Sequence, residues 1–439
     1  PLRVLMLTEY LPPYVSGIAY RCKNWIHGLR AAGHAVTVAS VPGTPCEYTV
    51  PSIRNPFYPA QQAFILPPWR LLGRLLCFWR PVPWQVAHVV APLSLGILPL
   101  LPLLWLRGVT IYVSYHVYLE HYQHAYIHRA FRRLLAMLFV FGYYVPLVVF
   151  AACVGIPSRV ADYYVFQYSR RVHVLKSGMD TANFTPARAR EPDLLHPLVA
   201  AWLARAGAPA LAAASATAPP PAFASSPSPS LPPPPPPPPS SSSSSPAFAP
   251  LMIYVGRLGR EKNVEFLLRQ MDHPDLAEST LLIVGDGPDR ARLERLAAQT
   301  VGRGRVWTGQ HDVPDAAAVA PKPRVLFTGM IAQESAVAAH YALSDVFTTA
   351  SRSETFGFTV AEAMACGAPP VIPRSGAFVH VYTAVATCMF EPEDRAAFVG
   401  AVRRVVATVP RPHVRQLAVD HFSVEASVAD LIATYRSLL

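Results

Sequence analysis

Short, almost wholly apolar runs alternate with longer segments of helical period, in two stretches of the chain. Leu2–Thr8 (LRVLMLT) ends in the Pro/Gly loop EYLPPYVSG, and the segment IAYRCKNWIHGLRAAGH then leads to a second run, AVTVASV. Runs with no polar face read as buried strands of a parallel sheet, covered on both sides by the intervening helices. Val86–Val90, Thr110–Ser114 and Val148–Val154 continue the series, which resumes at LMIYVGRL, LLIVGDGP, VLFTGM, DVFTTAS and PPVIP. The expected fold is therefore α/β in two halves, residues 1–186 and 251–439, with the final helix free to pack back on the first.

Between the halves, 187–250 is rich in Ala, Pro and Ser and contains a long proline tract and a serine run. Such a composition buries too little apolar surface to offset its ordering entropy, so it is expected to be a disordered, partly polyproline linker. Val306–Gly309 and Val325–Gly329 look like two versions of one strand ending, with Gly309–Arg324 as an insertion. Leu134–Pro157 has no charged side chain and is long enough to span a bilayer. Gly142 and Pro146 interrupt it, which favours a buried helix, Ala130–Phe141, running into a strand, Leu147–Cys153.

Composition narrows the partners. A formal charge of +11 on 439 residues favours anions: phosphates, nucleic acid or an acidic membrane. No recognisable nucleic-acid reading motif is present, so nucleic acid is the weakest of the three candidates. The six cysteines form no CxxC pair, which argues against a zinc knuckle or a disulfide framework and suits a reducing compartment. The chain begins at Pro1 with a strand, so any targeting segment is expected to lie outside it. Pro67–Arg80 mixes Trp69, Leu75, Phe78 and Trp79 with Arg70, Arg74 and Arg80. It reads either as a crossover helix on the sheet or as a segment that docks on an anionic bilayer.

The chemistry concentrates in the second half. In YVGRLGREKNVEFLL a strand ends in a glycine turn carrying Arg257 and Lys262, a guanidinium and an ammonium suited to two phosphoryl groups. SRSETFGFTVAEAMACG reads as strand, turn and helix, and the amides of Phe356 to Thr359 at the helix start favour an anion. Glu354 and Glu362 would be poor ligands for that anion and better acceptors for sugar and ribose hydroxyls. The plainer alternative is that Glu354 caps the turn and Glu362 merely favours the helix. Replacing Arg257 or Lys262 by Ala is expected to abolish activity while leaving the thermal midpoint nearly unchanged. VGDGP is not GxGxxG, which argues against an NAD-binding dehydrogenase. His116, His121, His124 and His128 follow a strand, but their spacing does not bring three imidazoles to one face and no metal is expected. His116 alone sits at the strand's carboxyl end, where open α/β sheets bind ligands.

GRLGREK, GDGP, SETFGFTVAEAMACG and SYH together resemble the family 4 retaining glycosyltransferases, and YVSG, VSYHVY and VLFTGM resemble its branch that builds sulfoquinovosyl diacylglycerol in plastids and cyanobacteria. The resemblance implies two Rossmann-like parallel-sheet domains (GT-B architecture) facing a central cleft. It implies transfer of sulfoquinovose from UDP-sulfoquinovose, or of another UDP-hexose, to diacylglycerol with retention, without metal or other cofactor. Arg257 and Lys262 would hold the diphosphate and Glu362 the ribose. Glu354, Phe356, Gly357 and Phe358 would hold the donor sugar, Gly17 would lie over the phosphates, and His116 would contact the sugar near the reacting carbon. Arg21 and Lys23 are candidates for the sulfonate. The implied location is the chloroplast envelope, peripherally on an anionic membrane surface. Where the family has a Gly-Gly pair after GAPPV, IPRSGAFVHVY has Gly376 alone. A non-catalytic membrane scaffold is the alternative of another class.

Overall fold

The computed structural model describes residues 1–14, 17–54, 62–64, 67–91, 95–116, 149–156, 158, 171–206, 248–309 and 322–439. The chain divides into two compact units, Pro1–Asp180 with His421–Leu439, and Thr181–Asp420.

The first unit is built on a parallel sheet in the order β3-β2-β1-β6-β7-β8-β9. Its strands are β1 (Arg3–Leu7), β2 (Ala35–Ser40), β3 (Tyr48–Thr49), β6 (Val86–Ala91), β7 (Thr110–Tyr115), β8 (Cys153–Ile156) and β9 (Val172–Val174); a small hairpin, β4 (Ser52–Arg54) and β5 (Gln62–Phe64), stands apart. Side chains alternate across each strand. Leu5 and Leu7 therefore face Leu71, Leu75, Leu100 and Leu104 from helices Trp69–Leu76 and Leu100–Leu106. Val4 and Met6 face Trp25 and Leu29 of helix Gly17–Ala31 and Val428 and Leu431 of helix Val424–Leu438. Those two helices approach so closely that a Cβ on Gly28 would lie 2.4 Å from Val428 Cγ2.

The second unit repeats the plan, with strands β10 (Leu251–Val255), β11 (Thr280–Val284), β12 (Val306–Trp307), β13 (Val325–Gly329), β14 (Val346–Thr348), β15 (Pro370–Pro373) and β16 (Met389–Phe390). Their order is β12-β13-β11-β10-β14-β15-β16, all parallel. Connections leave β10 in one direction and return to β14 on its other side. That reversal makes the carboxyl ends of β10 and β14 the switch point where open α/β sheets hold ligands.

Three expectations change. Residues 187–206 are not linker: Pro186–Arg190 and Pro192–Leu194 form 3-10 turns, and Pro197–Ala206 is a helix. Leu198, Val199, Trp202 and Leu203 recur there at helical spacing and are buried, a signal masked by the surrounding alanines and prolines. Residues 207–247, including the proline tract, lie outside the described residues. Val306–Trp307 and Val325–Gly329 are not duplicates, because both are used, paired side by side. The strand expected over Val148–Val154 is Cys153–Ile156, with Val149 and Phe150 helical. A short apolar run does not by its period distinguish strand from helix. Residues 117–148, with His121, His124, His128 and most of the bilayer-length run, lie outside the described residues. Among the described residues no helix is long and apolar enough to cross a membrane.

Candidate active site

Three loops at the carboxyl ends of β10, β11 and β13 are joined by their backbones. The Gly256 amide donates to Val284 O, Leu258 to Asp286 O, Asp289 to Leu258 O, and Gly285 to Gly329 O. The glycines are required by contact: a Cβ on Gly285, whose φ is 141°, would lie 2.0 Å from Gly256 O, and one on Gly287 would lie 2.4 Å from Leu258 O. GRLGREK and VGDGP thus form one rigid floor. On it, Arg260–Lys262 make a 3-10 turn, Asn263 takes a left-handed conformation (φ 50°), and helix Val264–Gln270 follows.

From this floor Lys262 reaches across the switch point to Glu354, in the loop after β14, with Nζ 2.5 Å from Oε1. Both side chains are about three-quarters buried. Burial pushes the Glu354 carboxyl up, but the Lys262 ammonium outweighs it and holds the carboxyl below its usual range. Arg257 is half exposed and lies 4.0 Å from Glu261. Glu362 stands one turn into helix Phe358–Ala365 and accepts a hydrogen bond from the Tyr341 hydroxyl at 3.2 Å. Burial pushes its carboxyl up to about 7. The helix starts after Gly357 (φ 84°), Phe356 is buried, and its ring meets that of Phe358 at 4.8 Å.

The altered loop closes over the same turn. Gly376 (φ 57°) lies so near that a Cβ would sit 2.8 Å from Arg352 O. Phe378 packs against Gly357, and the Tyr382 hydroxyl donates to Gly357 O at 2.8 Å. One glycine suffices for the contact with the SRSETFG turn.

The first unit holds Gly17 at the start of a helix and His116 directly after β7. His116 is buried, and both of its ring nitrogens are engaged: Nδ1 with Arg21 and Nε2 with Ser114 Oγ at 2.9 Å. Burial and then Arg21 hold it far below the usual histidine range, so it is neutral. A guanidinium only donates, which leaves the His116 proton on Nε2. The Ser114 hydroxyl then donates to His88 Nε2, and His88 Nδ1 donates to the Tyr435 oxygen. Arg21 also donates to Ser177 Oγ. Lys23 is exposed, with its ammonium 5.9 Å from the centre of the Tyr20 ring.

Residues 249–408 match the family model described as glycosyl transferases group 1. The second unit carries a group 1 glycosyltransferase domain. The chain is 38% identical over 127 residues to sulfoquinovosyl transferase SQD2 of Arabidopsis thaliana, covering 29% of the chain and 20% of that protein. It is 31% identical over 191 residues to the GDP-mannose-dependent alpha-(1-6)-phosphatidylinositol dimannoside mannosyltransferase of Mycobacterium tuberculosis, covering 42% of the chain and 43% of that protein. The matches thus span a fifth to under half of these relatives' own lengths. Among solved structures, sucrose-phosphate synthase of Thermosynechococcus elongatus aligns with TM-score 0.62 at 19% identity over 100% of this chain and 99% of that one. HepE of Anabaena, solved with UDP and glucose, aligns with TM-score 0.57 at 14% identity over all of both chains. The shared fold is two parallel-sheet α/β domains of the GT-B type.

Of Arg257, Lys262, Glu354 and Glu362, the residues singled out from the sequence, the structure brings Lys262 and Glu354 together, and it adds Tyr341, unmarked in the sequence, which holds the Glu362 carboxyl. Tyr341 sits in the unremarked helix Glu334–Leu343, and nothing in its spacing marks it.

Proposed function

We propose that the chain transfers a hexose from a nucleoside-diphosphate sugar to a lipid hydroxyl with retention, the donor being UDP-sulfoquinovose and the acceptor diacylglycerol on the chloroplast envelope. The observation that carries the transferase reading is the Lys262–Glu354 pair, a cation and a sugar-hydroxyl acceptor from two strand-end loops meeting at the switch point. Arg257 and Lys262 take the diphosphate, Glu362 the ribose hydroxyls, and Glu354 with the Phe356–Phe358 turn the sugar. As the glycosidic C–O bond breaks, the electron pair leaves with the diphosphate, and the two cations stabilise it. The acceptor oxygen bonds to the anomeric carbon from the same face and its proton passes to the departing phosphate oxygen, so no protein nucleophile or metal is needed. Gly17 and His116 are the first unit's share of this reading. His116 must release Arg21 or Ser114 before a ring nitrogen can meet a hydroxyl. The name of the Arabidopsis relative supports the sulfonated donor.

A GDP-mannose donor is the second reading, favoured by the longer match to the mycobacterial mannosyltransferase. Product analysis by mass spectrometry, with diacylglycerol vesicles, EDTA and a panel of UDP-sulfoquinovose, UDP-glucose, UDP-galactose and GDP-mannose, separates the readings. Preference for the sulfonated donor is expected. Turnover with GDP-mannose alone selects the second reading, and no glycolipid from any donor leaves the scaffold alternative.

A further inference from the structure

From Tyr48 to Leu119 the sequence contains no Asp or Glu, but it has five arginines, Arg54, Arg70, Arg74, Arg80 and Arg107. This stretch supplies one face of the first unit and the loops entering β6 and β7. Phe78 and Trp79 precede β6, Trp105 and Leu106 precede β7, and Val149 precedes β8, three strands that are neighbours in the sheet. All five side chains are exposed, Trp79 to 83%. They form a connected rim. Arg107 donates to Cys77 O at 2.9 Å and to Arg80 O, its guanidinium lies 5.1 Å from the centre of the Phe78 ring, and Trp105 meets Phe150 at 6.3 Å. The rim lies at the amino ends of the strands, whereas Gly17 and His116 follow strand carboxyl ends, so the rim is not part of the candidate active site.

Core packing does not account for these side chains, since Leu71, Leu75, Leu100 and Leu104 of the same two helices already fill the core. Indole and phenyl rings beside arginines, with no acid in the stretch, suit the headgroup level of an anionic bilayer, where rings enter the boundary and guanidinium groups meet phosphates. We infer that this strand-entry rim docks the first unit on an anionic lipid surface. The docking is distinct from recognition of any acceptor molecule.

The test is co-sedimentation of the full chain, without donor, with phosphatidylcholine vesicles that contain or lack phosphatidylglycerol. Binding is expected only to the anionic vesicles. Trp79→Ser with Leu106→Ser should weaken it by about tenfold or more, and Arg80→Glu by roughly fivefold or more, an effect that shrinks in high salt. All three positions are exposed, so thermal midpoints should stay at the wild-type value. Wild-type protein that stays in the supernatant, or variants that sediment undiminished, overturn the inference. So does a wild-type dimer, absent in the variants and indifferent to vesicles, which would make the rim an interface between copies. Binding is read without sugar transfer, so a chain that docks but transfers nothing keeps this inference and loses the proposed function.

Discussion

Lys262 and Glu354 form an ion pair, which the diphosphate of the proposed donor would have to reorganise. In that proposal, drawing the ammonium to phosphate releases the carboxylate toward a sugar hydroxyl, so one event prepares both ends of the donor. The sequence identifies both residues but not their contact, because their loops are 92 positions apart, and that contact changes an expectation. Lys262→Ala should lower activity by about 100-fold or more and also destabilise the protein by about 1–2 kcal/mol, since it strands a largely buried carboxylate. Adding Glu354→Gln should restore the thermal midpoint but not turnover. Arg257→Ala, at a half-exposed position, should lose activity with the midpoint unchanged. Glu362 gives a pH signature. Its carboxyl is raised from 4.5 to about 7, so the folded state favours the protonated form. Its contribution to stability is therefore present at low pH and declines as pH rises from about 4.5 through 7. In the proposed reading, acceptance of ribose hydroxyls by the Glu362 carboxylate runs the other way and strengthens above pH 7. Donor affinity by calorimetry should rise between pH 6 and 8, and Glu362→Gln should flatten that rise.

At the scale of elements, the glycine turns after β10 and β11 were legible as turns. Their mutual contact was not, because it is made by backbone atoms some thirty residues apart. The geometry makes a sharp prediction. Gly285→Ala must place a methyl group against Gly256 O in a backbone region that favours glycine, and should cost roughly 2–3 kcal/mol or more. Circular dichroism melting measures the loss, and a midpoint shift of under a degree would contradict the packing. Strands were read correctly where long apolar runs met clear turns, as at β1, β2, β10 and β11. What was misjudged needed tertiary information: Val306–Trp307 and Val325–Gly329 look alike in sequence, and only their pairing shows that they are two neighbouring strands. Helix Pro197–Ala206 was obscured by composition, although its apolar spacing was already in the sequence.

At the scale of the molecule, the second unit is inserted into the first. The chain leaves the first unit after Asp180 and re-enters at His421. The two crossings are adjacent: the Met179 amide donates to Phe422 O and the Val424 amide to Met179 O. Helix Val424–Leu438 then buries Leu431 and Tyr435, whose hydroxyl meets His88. Leu431→Ala should cost about 2–5 kcal/mol. Deleting residues 424–439 should strip hydrogen-exchange protection from β1 and β6 while β10 and β11 keep theirs; loss confined to β10 and β11 would contradict this division.

The closing helix also sets the order of events during synthesis. Val4, Met6 and Tyr112 emerge early from the ribosome with helix Val424–Leu438 still missing from their face of the sheet. They must wait for residues 181–420 to be made, on the order of ten seconds or more at about 5–20 residues per second. Over that interval a nascent chain carries a half-covered apolar sheet, which should make its first half a client for chaperones even though the finished protein hides that surface.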